Sequence, residues 1–276
     1  HAGWLLLAGA AGRAGDLCRA RDAAQMAVAS DASVAGDAAA VLEQLGLWVD
    51  AADVYGLAGD AHKVAELWLR LGRYREGIAA LTPLADADAG ARLELMHWQQ
   101  RLGDHQAASA ASFERSSRHW EAAQRLRVEN ALADDERDVA ATLLDGLDEH
   151  VAPDTLVWAA RQWVLVGDFD KAERLATAAA ARSSSAARVV LAELELWRDE
   201  PAAARAELDQ AGASFAARCA RAIARVLEGD SDKSSFDTLL DERPDASEAL
   251  LWRGELWRRD GKLQQALGDI ERGIDR

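Results

Sequence analysis

Residues 246–275 read ASEALLWRGELWRRDGKLQQALGDIERGID, a stretch in which Gly261 separates two patterns of helical spacing. Leu250, Gly254 and Trp257 recur at steps of four and three residues, so they share one face of a helix. A glycine after such a pattern supplies the left-handed residue that joins two antiparallel helices. This stretch therefore predicts an αα-hairpin with its turn at Gly261.

The second helix of this hairpin carries its own apolar stripe. Ala266, Ile270 and Ile274 follow one another at intervals of four residues. Gly254 and Ala266 are small where the two helices would cross, which allows the backbones to approach each other closely. We expect Trp257 to fill the volume beside this crossing.

The same turn pattern recurs along the whole chain. A glycine is followed five residues later by a small side chain eight times, at Gly15/Ala20, Gly46/Ala51, Gly59/Val64, Gly72/Gly77, Gly103/Ala108, Gly167/Ala172, Gly229/Ser234 and Gly261/Ala266. Most intervals between these glycines are one or two multiples of 31–32 residues, and two steps are 13 residues. Such a sustained period predicts a stack of similar supersecondary units, with shorter helices where the steps are short.

Each of the two long gaps in the glycine series contains an aspartate where the period predicts a turn glycine. Asp135/Ala140 and Asp199/Ala204 stand near the midpoints of these gaps, with the same small residue five positions later. Tryptophans also return in phase, because Trp68, Trp163 and Trp257 are separated by 95 and 94 residues. We interpret these three tryptophans as core residues of equivalent repeats.

These series resemble the tetratricopeptide repeat (TPR). The matching residues are Leu250, Gly254, Trp257, Gly261, Ala266 and Ile270; Leu156, Ala160, Trp163, Gly167, Ala172 and Ala176; and Trp4, Leu7, Ala8, Gly15, Ala20, Ala24 and Ala27. The resemblance implies an all-α fold, a right-handed α-solenoid of about eight to nine stacked antiparallel helix hairpins. The period is shorter than the family's usual one of about 34 residues. Residues 112–150 match poorly, so TPR-like describes the chain better than TPR.

The pattern predicts one repeat array over residues 1–276. Residues 1–84 form irregular N-terminal repeats, residues 85–150 degenerate repeats, and residues 151–276 regular TPR-like repeats. Solenoids normally end in polar capping units, and both ends here run directly into helical patterns. We therefore expect the sequence to be a fragment of a longer chain.

Composition excludes several classes of protein. A formal net charge of −15 disfavours nucleic-acid binding, since a phosphate backbone would be repelled. The apolar segment 4–11 is too short for a membrane span, which needs about 20 residues. Cys18 and Cys219, the only two cysteines, do not form a disulfide pattern, and arginines far outnumber lysines. These features favour a cytoplasmic, bacterial protein.

The acidic run between Glu129 and Asp154 is either a solvated surface or a patch for a basic peptide.

Motifs for chemistry are missing from the sequence. It contains no phosphate-binding loop, no H-E-x-x-H and no C-x-x-C, so we expect no cofactor and no metal. Cys18 lies beside the packing residue Ala20, and no oxyanion-binding pattern accompanies it. We expect no catalytic residues and predict that the chain is not an enzyme.

The resemblance to TPR proteins implies a concave groove lined by the first helix of each unit. The residues it places there are His97, Arg101, Arg161, Trp197, Glu255, Arg258 and Arg259, with Leu196 beside Trp197. Arginines and a tryptophan suit the capture of an extended acidic or mixed peptide, although the same residues could simply solvate the groove. The expected function is a non-catalytic scaffold for a protein or peptide partner. The alternative is a regulatory or sensor region that controls an attached enzyme or effector domain.

Overall fold

The computed structural model describes residues 1–148 and 150–274, and these residues form helices and no strands. The helices are α1 (Ala2–Arg13), α2 (Leu17–Ser30), α3 (Ala35–Gln44), α4 (Trp48–Ala58), α5 (Ala61–Arg70), α6 (Tyr74–Ala85), α7 (Ala89–Arg101), α8 (His105–Ala110), α9 (Trp120–Ala133), α10 (Arg137–Asp145), α11 (Pro153–Val166), α12 (Phe169–Ala181), α13 (Ser185–Trp197), α14 (Pro201–Leu208), α15 (Phe215–Leu227), α16 (Ser234–Glu242), α17 (Ser247–Arg259) and α18 (Leu263–Ile274). A short 3-10 turn, Ala32–Val34, precedes α3.

Consecutive helices pack against each other in two compact units. The first unit spans His1–Ala140, and the second begins at Ala141. In the first unit, α1 packs on α2, α3 on α4, α5 on α6 and α7 on α8. In the second, α11 packs on α12, α13 on α14, α15 on α16 and α17 on α18. The prediction of an all-α fold built from helix hairpins is confirmed.

The hairpin turns adopt the left-handed backbone that the glycine series predicts. All eight glycines of the series have φ between 74° and 100°. Asp135 and Asp199 have φ of 58° and 60°, so the two aspartates do take the place of the missing glycines. Aspartate tolerates this conformation better than most residues because its short polar side chain bonds locally. The short steps between Gly46 and Gly72 correspond to α4 and α5, which have 11 and 10 residues.

An aspartate directly after the turn glycine begins the next helix in several hairpins. The side chains of Asp16, Asp60, Asp104 and Asp168 each accept a hydrogen bond from the backbone N–H three residues later. Each aspartate satisfies one of the free donors at a helix start, which stabilises the helix by about 1 kcal/mol. The dipeptide Gly-Asp thus ends one helix and starts the next.

The small residue five positions after the turn is buried in most repeats. Ala20, Ala51, Ala108, Ala140, Ala172 and Ala204 are all fully buried. Ser234, the small residue that follows Gly229, is exposed and departs from this series. The connection after Gly229 is longer there, α16 begins only at Ser234, and Phe236 takes the buried position.

The crossing of α17 and α18 confirms the role of the small residues. A Cβ atom on Gly254 would lie 2.8 Å from Ile270 Cγ1 and 3.2 Å from the carbonyl oxygen of Ala266. The predicted stripe fails at Ile274, which is 70% exposed. A strict four-residue step drifts around a helix of 3.6 residues per turn, so Gly273 faces α17 instead.

The three tryptophans in phase differ in burial, but a positively charged side chain lies over the ring of each. Trp163 is 2% exposed, whereas Trp68 and Trp257 are only half-buried, so full burial is confirmed for Trp163 alone. Arg73, Lys171 and Lys262 place their charged groups 4.5, 4.1 and 4.6 Å from the respective ring centres. Each cation comes from the beginning of the next helix or the turn before it. The rings therefore stabilise the hairpins through cation–π contact as well as apolar packing.

Replacement of a turn glycine should destabilise its hairpin. We expect Gly261→Ala to lower the free energy of unfolding by about 1–2 kcal/mol, because alanine pays a steric penalty at positive φ. The reverse change, Asp199→Gly, should raise it. Urea titration followed by circular dichroism measures both, and a shift of the two midpoints in the same direction would contradict this account of the turns.

Addition of one methyl group at the α17–α18 crossing should force the helices apart. We expect Gly254→Ala to lower the free energy of unfolding by about 1–3 kcal/mol. Gly268 lies in the same hairpin with nothing near its missing Cβ, so Gly268→Ala should instead stabilise α18 by about 0.5–1 kcal/mol. Equal thermal midpoints for the two variants would show that the crossing tolerates the methyl group.

Candidate peptide-binding face

The first helices of successive hairpins form a continuous surface in the second unit. Helix α11 packs on α13, α13 on α15, and α15 on α17. We refer to the surface that α11, α13, α15 and α17 present together as the first-helix face. Stacked helical repeats characteristically expose an extended surface of this kind.

An ion pair links the first two helices of this face. Arg161 Nη2 lies 3.2 Å from Glu193 Oε1, and the two residues are 32 positions apart, which is one repeat. The surrounding helices remove the Glu193 carboxylate partly from water and raise its pKa, while the Arg161 charge opposes that shift. The pair gives the centre of the first-helix face a polar character.

Glu248 extends the polar surface formed by Arg161 and Glu193 onto α17. The Cys219 thiol lies near the Glu248 carboxylate, and this contact opposes a rise in the pKa of Glu248. Glu248 is exposed on α17, and partial desolvation by neighbouring protein is the main cause that raises the pKa of its carboxyl group. Cys219 is 1% exposed, and burial raises the pKa of its thiol, so it stays a neutral thiol rather than a nucleophile. We define Arg161, Glu193, Cys219 and Glu248 as the polar track.

Three of the predicted contact residues pair with each other on α17. Glu255 accepts hydrogen bonds from Arg258 at 2.6 and 2.8 Å and from Arg259 at 2.9 Å. The bond from Arg258 is the main reason that the pKa of Glu255 falls to about 2. Both arginines lie in the last turn of the helix, where positive charge interacts favourably with the helix dipole.

Two large apolar side chains are exposed at one repeat position. Trp197 at the end of α13 is 73% exposed, and its ring centre lies 6.4 Å from that of Phe169. Leu165 stands one repeat earlier on α11 and is 62% exposed. Leu196 is half-buried and packs on the core. Trp197 and Leu165 offer apolar contact area at the end of the first-helix face.

His97 and Arg101 lie in the first unit, whereas the other five predicted contact residues lie in the second. Both are exposed on α7. The Arg101 guanidinium lies over the ring of Trp98, 4.9 Å from its centre. Their role as peptide contacts stays a prediction.

Sequence reasoning missed the two glutamates of the polar track. Glu193 could have been found, because it stands one repeat after Arg161 and carries the opposite charge. Glu248 gave no such signal, since its partner Cys219 lies on a neighbouring hairpin at no regular spacing. The prediction that Cys219 is a small packing group agrees with its burial but did not anticipate its contact with Glu248.

The described residues contain no cluster of three or more histidine, cysteine, aspartate or glutamate side chains that could hold a metal ion. Over the same part of the chain, no helix has the length and apolar character needed to cross a membrane.

Stacked hairpins with left-handed turns define the chain as an α-helical repeat protein. No protein-family model matches its sequence, and no curated protein matches it either. The solved structures that are similar include three at 12% identity each. A tetratricopeptide repeat protein from Parabacteroides merdae gives a TM-score of 0.45, with 99% of this chain and 91% of that chain covered. The APC/C hetero-tetramer Cut9-Hcn1 gives 0.45, with 98% and 71% covered. Yeast Tom70 gives 0.42, with 99% and 84% covered.

The Glu248 charge should destabilise the fold at neutral pH. A carboxyl group whose pKa is raised on folding binds protons more tightly in the native state, so stability falls as pH rises from its ordinary value of 4.5 through the folded value. We therefore expect Glu248→Gln to raise the thermal midpoint at pH 7, with the gain shrinking towards about pH 4 as the native glutamate becomes protonated.

Glu271→Gln is the matched control, because it removes one exposed carboxylate from α18 in the same unit. Differential scanning calorimetry across this pH range measures both variants. A gain for Glu248→Gln that is equal to that of the control, or independent of pH, would contradict the assigned desolvation.

Proposed function

We propose that this chain is a non-catalytic scaffold that binds a protein or peptide partner along the first-helix face. The observation that supports this most strongly is the repeat spacing of its surface residues. Arg161 and Glu193 are one repeat apart, and so are Leu165 and Trp197. Charged groups and apolar groups thus recur at the repeat spacing along one surface. Such a surface can contact the regularly spaced side chains of an extended ligand.

The proposed partner is an extended segment with both charged and apolar side chains. The Arg161–Glu193 ion pair is accessible to solvent, and such pairs contribute at most about 1 kcal/mol, so a ligand can exchange it for its own charges. Trp197 provides the large aromatic contact that commonly dominates binding energy at protein interfaces. Glu255 with Arg258 and Arg259 provides further charges of both signs on α17.

Charge reversal on the first-helix face should weaken binding of its partner. We expect an array of extended peptides of mixed charge to contain members that the purified chain retains. Arg161→Glu should weaken their binding about tenfold or more, because a charged hydrogen-bond donor is replaced by a repelling group. Trp197→Ala should weaken it to a similar extent by removing the aromatic contact.

Arg174→Glu is the control, since Arg174 is an exposed arginine on α12, a second helix of the same unit. Fluorescence anisotropy measures affinity, and circular dichroism checks that helicity is unchanged. If the control and Arg161→Glu bind alike, the partner does not use the first-helix face.

A further inference from the structure

A second candidate binding site lies in the second unit, away from the polar track. Helices α14, α15 and α16 line a cavity of about 420 Å³ that is open to solvent. Four arginines line it, namely Arg205, Arg218, Arg221 and Arg225, together with the hydroxyl groups of Ser235 and Thr238. The volume lies within the range of about 300–1,000 Å³ that is typical of small-molecule sites.

The arginines converge because of helical spacing on α15. Arg218, Arg221 and Arg225 are three and four residues apart, so they share one face of that helix. A different face of α15 carries Cys219 and Ile223, which are buried in the core. Three cations on one face repel each other, so the arrangement requires nearby negative charge.

Three of the four arginines form ion pairs with carboxylates of the protein. Arg205 Nη1 lies 2.9 Å from Glu228 Oε2, and Arg218 pairs with Glu242. Arg225 Nε lies 3.7 Å from Asp230 Oδ2, and its Nη2 donates to Ser235 Oγ.

Arg221 is held in place without such neutralisation. Its Nη2 donates to the carbonyl oxygens of Leu208 and Gly212, the latter at 2.7 Å. It is half-buried and makes no ion pair with a carboxylate of the described residues, although Asp209 also lines the cavity. Two neutral acceptors therefore orient this guanidinium but leave its charge uncompensated.

A second unsatisfied group lies at the same cavity. The Nε atom of Arg218 is buried and has no hydrogen-bond partner among the described residues. A buried donor without an acceptor is destabilising. An anion in the cavity would supply the negative charge that Arg221 lacks.

We propose that this cavity binds a phosphate monoester group, with Arg221 as its central contact and Arg218 and Arg225 beside it. A phosphate monoester carries a charge of about −1.5 to −2 and three acceptor oxygens, which match several guanidinium groups at once. The group belongs either to a free phosphorylated small molecule or to a phosphorylated side chain of a protein. This site is independent of peptide binding on the first-helix face, so either proposal can fail alone.

Isothermal titration calorimetry with the purified chain tests the site with three probes: inorganic phosphate, O-phosphoserine and a phosphoserine peptide. We expect binding that weakens with added salt. Arg221→Gln should reduce affinity at least about tenfold, because hydrogen bonds to a charged group are lost. Arg225→Gln should do the same, and this exposed residue can be replaced without disturbing the core, so a folding defect in the Arg221 variant does not block the test.

Arg272→Gln is the matched control, since Arg272 also donates to a backbone carbonyl, that of Pro244, but lies outside the cavity. Its affinity should stay within about twofold of the unmodified chain. Similar affinity for O-phosphoserine and the peptide supports a small-molecule ligand, and tighter peptide binding supports a phosphorylated protein. The proposal is overturned if none of the three probes binds, if Arg225→Gln binds like the control, or if glutamate competes as well as O-phosphoserine.

Discussion

The left-handed residue at the end of each first helix is the constraint on which the rest of the structure depends. At Gly167 the chain reverses, and the next residue, Asp168, donates its N–H to the carbonyl oxygen of Trp163 at 3.0 Å. The same bond spans five residues at Gly15, Gly72 and Gly261, and also at Asp135 and Asp199. It satisfies a carbonyl group that the helix end leaves free. Because the turn geometry is the same each time, the second helix always returns along the first, and the small residue five positions later meets it.

Charge reinforces this stacking in the second unit. Several ion pairs there join residues about one hairpin apart, such as Arg198 with Glu173 and Lys233 with Asp260, both at 2.5 Å. Each such surface pair contributes little by itself. Together they join several basic side chains of the second unit to carboxylates of neighbouring hairpins. Arg221 makes no such pair among the described residues, although it lines a cavity.

The two candidate sites arise from different features of the repeat structure. The first-helix face arises because equivalent positions of successive helices lie side by side, so its groups recur at the repeat spacing. The arginine cavity instead combines side chains of three helices, α14, α15 and α16, and the groups on α15 lie three and four residues apart.

Much of the fold could be predicted from the sequence because its signals are local. The turn at Gly261, the substitution of Asp135 and Asp199 for glycine and the crossing at Gly254 depend on residues a few positions apart. Less of the candidate site was predictable: the exposure of Trp197 and the pairing of Glu255 with its arginines follow helical spacing, whereas the contact between Cys219 and Glu248 joins separate hairpins.

The sequence by itself therefore determined the all-α class, the position of the turns and the repeat period. Only the tertiary structure decided which side chains lost contact with water. Trp257 remains half-buried although it is in phase with the buried Trp163, and a lysine contacts the ring of each. Arg221 looks like any other arginine in the sequence, yet its surroundings leave its charge unpaired. Burial and charge balance depend on how neighbouring hairpins pack, and no local pattern encodes that packing.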